Sequence, residues 1–150
     1  MDIATEIIAV DTKADFDVVD ITDRVEKLVN ASHLEIGTVT LFAVGATVGL
    51  TTVEYEDGLV EDLAELFERI APVAMEYKHN ERWHDGNGHS HLRASLVGPS
   101  LSVPFLDRRL VLGQWQQIVL LDFDVRARHR QVFCQVIGRK DESRKKESAD

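Results

Sequence analysis

Between Tyr77 and Trp115 the chain concentrates side chains that ligate metals or exchange protons near neutrality. Four of its six histidines, His79, His84, His89 and His91, fall within thirteen residues. Histidine is the commonest metal ligand and changes charge between pH 5 and 8. His79, His89 and His91 could serve a divalent ion such as zinc, for which three protein ligands and an open position make a catalytic arrangement. Two positions apart, His89 and His91 diverge by about 200° on a helix and cannot share an ion there. His79 from a loop and His91 from a first helical turn are then the expected pair. The alternative is that these imidazoles cap helices or bond backbone carbonyls at a subunit boundary.

Other groups surround this cluster. Asp85-Gly86-Asn87-Gly88 has the composition of a tight turn. Placed before a helix it could offer amides to a phosphate, although without a lysine the turn reading is the stronger. Glu54 follows an extended run and suits a general base or a partner for a ligating histidine, while Asp57 suits a helix cap. Arg126, Arg128 and Arg130 alternate, which aligns three guanidiniums for a phosphate, or protects an edge strand, or pairs with a neighbouring subunit. Trp115, among Gln114, Gln116 and Gln117, could line a pocket or fill an interface. Ser90, Ser95, Ser100 and Ser102 lie in no recognisable nucleophile motif, which argues against a serine hydrolase.

Those side chains need a scaffold. Alternation and β-branched runs predict strands over residues 3–10, 16–20, 38–44, 48–55, 101–105, 109–112, 117–123 and 130–137. Helical spacing predicts helices over 23–31, 59–70 and 89–97, with the second closed by Pro72. Segment 77–88 reads as a polar loop. Without a βαβα rhythm the class is α+β, a single compact domain of mixed or antiparallel sheets with about three helices. Cys134 reads as a small buried hydrophobe. Residues 139–150 hold nine charges and no large apolar side chain, the composition of a disordered tail.

A chain of 150 residues, 44% apolar, suits one core. It shows no apolar run of membrane-spanning length and no basic-then-apolar leader, so the expectation is a cytoplasmic protein with no membrane partner. The net charge of −9 argues against a nucleic-acid partner, whose affinity rests on neutralised phosphates. Residues 1–75 carry 16 acidic and 4 basic side chains, and residues 76–150 carry 10 and 13. An anionic ligand is therefore expected in the second half, unless the asymmetry serves contacts between subunits.

Tyr77-x-His79, the run Asn87-Gly88-x-Ser90-His91-Leu92-x-Ala94-Ser95-x-x-Gly98-x-Ser100, Val103-Pro104, Leu110-x-Leu112-Gly113-x-Trp115-Gln116-x-Ile118, Arg128-x-Arg130 and Gly138 together resemble the YjbQ-like family, named secondary thiamine-phosphate synthase. Upstream, Leu50-Thr51-x-x-Glu54-x-x-Asp57 also fits. The resemblance implies a YjbQ-like domain over residues 1–138 that assembles as a homotrimer. It further implies a weak ability to join a pyrimidine diphosphate to a thiazole phosphate with loss of pyrophosphate. On that basis His79 and His91 are expected to hold a divalent metal, zinc or magnesium. Glu54 and His91 are expected to be catalytic, and Asn87, Gly88, Trp115, Gln116, Arg128 and Arg130 to contact a phosphorylated small molecule. One departure bears on all of this. Where the family usually reads His-Thr-Thr/Ser-Ala-x-Leu-Thr-x-Asn-Glu, this chain has Gly45, Ala46 and Val53 in place of the histidine, the threonine and the asparagine. Loss of that imidazole implies an alternative, a non-catalytic ligand-binding or structural homotrimer, unless His84 or His89 compensates.

Overall fold

The computed structural model describes residues 1–140. Its elements run β1 (Asp2–Thr12), β2 (Asp17–Asp20), α1 (Thr22–Ala31), β3 (Ile36–Ala43), β4 (Val48–Val53), α2 (Asp57–Ile70), α3 (Lys78–Trp83), α4 (Gly88–Val97), β5 (Ser100–Leu106), β6 (Arg109–Leu110), β7 (Gln117–Asp122) and β8 (Arg128–Arg139). The strands form two antiparallel sheets, one ordered β1-β8-β3-β5-β6 and the other β2-β7-β4. The α+β class holds. Four helices stand where about three were expected, because α3 lies in the segment read as a loop. The expected tail lies, from residue 141 onward, outside the described residues.

Period-two patterning decides which face of each strand is buried. On β8, Arg130, Val132, Cys134 and Val136 point inward. The last three join Ile8 and Val10 of β1, Val39 and Leu41 of β3, and Val103 and Phe105 of β5 in the larger core, which Val25 and Val29 of α1 also enter. Burial raises the Cys134 thiol to about 11, the behaviour of an apolar side chain rather than a reactive one. Strand β7 is buried on both faces. Ile118 and Leu120 serve the larger core, while Val119 and Leu121 enter a second core with Phe67 of α2, Ala94 of α4 and Phe123. Phe123 stacks on Phe16 at 5.4 Å and meets Phe67 edge-on at 4.7 Å.

Local chemistry places the helices. Glu56, rather than the expected Asp57, caps α2 by accepting from the amides of Gly58 and Leu59. Arg93 of α4 is buried and donates to the Ala71 carbonyl at 2.7 Å and to Glu68 at 2.8 Å, which fixes α4 against the end of α2. Gly49 of β4 lets α4 approach closely, since a Cβ there would lie 2.8 Å from Val97 Cγ1 and 3.0 Å from the Gly98 carbonyl oxygen. Gly49→Val should therefore destabilise the protein by about 1–3 kcal/mol through overpacking, read as a lowered urea midpoint.

His89, at the start of α4, is 1% exposed. Its Nε2 lies 3.3 Å from Ser90 Oγ, and its Nδ1 has no hydrogen-bond partner among the described residues. Burial and then the Arg93 charge lower its pKa, against opposing carboxylates of Glu68, Asp124 and Asp15. Between the lowered folded value and the ordinary value near 6.5 the unfolded chain binds the extra proton. The stability from neutral His89 is thus complete above the ordinary value and is lost as pH falls through the folded one. Urea midpoints measured from pH 7 to pH 5 should fall more steeply for the wild type than for His89→Gln.

Candidate functional site

Three segments meet at one end of the small sheet: the turn from Gly45 to Thr47 before β4, the helix α4, and the α3–α4 connection. His79 stands in the first turn of α3 and His91 in the first turn of α4, with ring centroids 4.4 Å apart. Gly88 makes that approach possible. Its amide donates to Asn80 Oδ1 at 2.8 Å, and a Cβ on it would lie 2.6 Å from Tyr77 Cβ. The Gly88 amide is thus used within the fold rather than offered to a ligand. The Asp85–Gly88 segment acts as a turn that brings the two helices together.

His79 Nε2 lies 3.1 Å from the Asn87 amide and 3.3 Å from Asp85 Oδ2. His91 has a lowered pKa, through burial first and then the neighbouring His79. Asp85, Asp124 and a hydrogen bond with the Ala46 backbone act in the other direction. A neutral imidazole at pH 7 follows. His91 lines a cleft of about 160 Å³ with Gly45, Ala46, Val48, Ala94, Ser95 and Pro99. That is well below the roughly 300–1,000 Å³ that encloses a drug-sized molecule, so within one chain the cleft receives a single small group.

Behind the cleft lies a buried charge network that the sequence reading did not foresee. Asp122 is fully buried and accepts from Thr12 Oγ1 at 2.6 Å, from Arg130 Nε at 2.6 Å and from Arg130 Nη2 at 2.7 Å. Asp124 is 2% exposed and accepts from Arg128 Nε at 2.7 Å and from Thr47 Oγ1 at 3.3 Å. Burial pushes the Asp124 carboxyl up, but hydrogen bonds from Arg128, the Val125 amide and Asn87, with the Arg128 charge, hold it below the ordinary range. Arg128 and Arg130 do share one side of a strand, as their alternation suggests. That strand is internal, between β1 and β3, so the edge-strand explanation fails.

The remaining expected residues lie elsewhere. His89 is buried beside Tyr77 and Ser90, and His84 is an exposed left-handed cap on α3, so neither supplies a third imidazole. Glu54 shares a shallow pocket with Trp115 and Gln116 at the far end of β4. Six residues of strand at about 3.3 Å each put Glu54 roughly 20 Å from Val48 and the His91 cleft. Within one chain Glu54 and His91 do not form a catalytic pair. Trp115 is 64% exposed, and the Gln116 amide is spent on Thr52 and Gly113. A catalytic zinc site of three protein ligands is also not assembled: among the described residues no group of three His, Cys, Asp or Glu side chains is placed to hold a metal.

Comparison with known proteins agrees with this architecture. The family model described as "UPF0047 protein YjbQ-like" matches residues 6–139. A UPF0047 protein of Archaeoglobus fulgidus is 39% identical over 108 residues, 72% of this chain and 82% of the relative. One from Methanothermobacter thermautotrophicus is 31% identical over 139 residues, 93% and 95% of the two chains. The crystal structure of a YbjQ-like protein of unknown function from Sulfolobus solfataricus superposes with a TM-score of 0.86 at 32% identity, covering 91% of this chain and 98% of that one. With the family model spanning nearly the whole described fold, this chain belongs to the UPF0047 YjbQ-like family.

Proposed function

We propose that this chain binds a phosphorylated small molecule in the His91 cleft, as a homotrimer, without catalysing metal-assisted transfer. What carries the reading is the packing of His79 against His91 beside Gly45, with no group of three His, Cys, Asp or Glu side chains placed to hold a metal among the described residues. An imidazole that takes up a proton beside an anion, with the Arg128 and Arg130 guanidiniums behind the cleft, suits an oxyanion.

Transfer is the second reading, favoured by the family resemblance and by the neutral imidazole of His91. In it the thiazole nitrogen lone pair forms a C–N bond to the pyrimidine methylene, the C–O bond to the diphosphate breaks, and pyrophosphate leaves. The nitrogen becomes quaternary without losing a proton, so the step has no use for Glu54 as a base. What it needs is positive charge for the leaving group. Here Arg128 and Arg130 are already matched by Asp124 and Asp122, which weighs against turnover.

For the assembly, the outer face of the large sheet provides a surface. Ile3, Ile7, Phe42 and Phe133 are 64%, 54%, 47% and 41% exposed. Strand register sets Phe133 beside both Ile7 and Phe42, so these three are contiguous, with Ile3 four residues away on the same face of β1. The family resemblance supplies the number of subunits.

Calorimetric titration with inorganic phosphate tests the binding reading. His91→Ala should weaken binding about tenfold, equivalent to about 1.4 kcal/mol. Pyrophosphate release from the paired pyrimidine and thiazole substrates should be no faster with wild type than with His91→Ala. Turnover that disappears in the variant, together with one equivalent of metal in the purified wild type by elemental analysis, would establish the transfer reading instead. Light scattering should give three chains per particle for the wild type and fewer for Phe133→Glu. A wild-type monomer at micromolar concentration would refute the assembly.

A further inference from the structure

Where the ladder between β4 and β7 ends, the chain holds an indole and a carboxylate that no contact of the fold uses. The last paired residues are Val53 and Gln117, and the Tyr55 amide donates to Gln117 Oε1 at 3.1 Å, so Glu54 is anchored on both sides. Beside it, Gly113–Gln116 is a turn closed twice. The Gln116 amide donates to the Gly113 carbonyl at 3.0 Å, and the Gly113 amide donates to Gln116 Oε1 at 3.0 Å. Gln116 Nε2 then donates to Thr52 Oγ1 at 2.8 Å, which ties the turn to β4. Trp115, third in that turn, is held out into solvent. Neither its indole nor the Glu54 carboxylate has a hydrogen-bond, ion-pair or ring partner among the described residues. Both line a pocket of about 390 Å³ together with Val53 and Gln114.

We propose that this pocket binds an organic cation, an alkylated ammonium group seated against the Trp115 indole face and paired with the Glu54 carboxylate. Indole is the best aromatic seat for a cation, and quaternary ammonium groups are the ligands such faces recognise. Glu54 supplies the opposite charge, and no lining residue is basic. Glu56 and Asp57 follow closely in sequence, within a half of the chain that carries 16 acidic and 4 basic side chains. A bare ammonium asks for three acceptors, and Gln116 Oε1 is already taken by Gly113. A divalent ion asks for more oxygen ligands than one carboxylate gives. Methyl groups on the nitrogen instead meet Trp115 and Val53. The braced turn keeps the ordering cost of binding small. An anion is repelled here, so the pocket differs in ligand charge from the His91 cleft and is independent of it.

Choline is the probe, and dimethylbutanol, its uncharged carbon analogue, is titrated beside it. Trp83→Phe leaves Trp115 as the sole tryptophan, so its fluorescence reports on the pocket. Choline should change that emission saturably, and dimethylbutanol should bind about tenfold more weakly. Glu54→Gln should weaken choline about fivefold and leave dimethylbutanol unaffected, which separates charge pairing from apolar contact. Trp115→Leu, shown to be folded by its thermal melt and followed by amide shifts in heteronuclear NMR, should lose choline binding. Equal affinity for the two probes, or choline binding unchanged in either Glu54→Gln or Trp115→Leu, would overturn the assignment. So would the absence of any saturable response to choline. A Trp115→Leu particle smaller than the wild type by light scattering would also overturn it, by making Trp115 a contact between subunits.

Discussion

The bidentate pair between Arg130 and Asp122 is the interaction on which the site depends. Arg130 belongs to the inner face of the large sheet and Asp122 to the last residue of β7 in the small one, so the pair joins the two layers at one corner. Desolvating two ions is costly, and such a pair returns that cost only when every remaining donor and acceptor is used. Here Thr12 and the Asp124 amide complete the set around Asp122, and Thr47 accepts a further N–H of Arg130, whose Nη1 alone has no hydrogen-bond partner among the described residues. Removing one partner of a buried pair costs about 3–5 kcal/mol because the other charge is left stranded. The network fixes the 45–47 turn, and through it the floor of the cleft.

Charge bookkeeping explains why the arginines, obvious in the sequence, do not make a basic patch. Each has a carboxylate of its own within the same chain, so the field at the cleft is nearly balanced and recognition rests on the direction of N–H groups. His79 and His91 fit the same pattern. Their contact depends on Gly88 allowing α4 to start beneath α3, and His79 is steadied by Asp85 and Asn87.

Much of the architecture was legible because it follows from patterning. The doubly apolar run of β7 and the helical spacing of Leu59, Leu63 and Phe67 could be read directly. Helix α3 could not, since Lys78-His79-Asn80-Glu81-Arg82-Trp83 has no apolar stripe and owes its turn to neighbours rather than to propensity. Convergence of His79 and His91 was foreseen from their types, but the roughly 20 Å between Glu54 and His91 arises from the direction of β4, which a list of motif residues does not carry. A signal for the acidic half of the network was present: Asp122 and Asp124, two apart, face Arg128 and Arg130, also two apart, across a short connection. Complementary spacing of that kind marks a hairpin-like pairing of charges better than either dipeptide alone.

Because β7 has no solvent face, it leaves neither hydrophobic layer able to loosen by itself. Loss of its register would strip Ile118 and Leu120 from one side and Val119 and Leu121 from the other in a single event. A half-melted intermediate that keeps only the large sheet would expose the inner surface of that sheet to water. Cooperativity in this fold is thus concentrated in six residues at the middle of the chain's thickness, away from the termini.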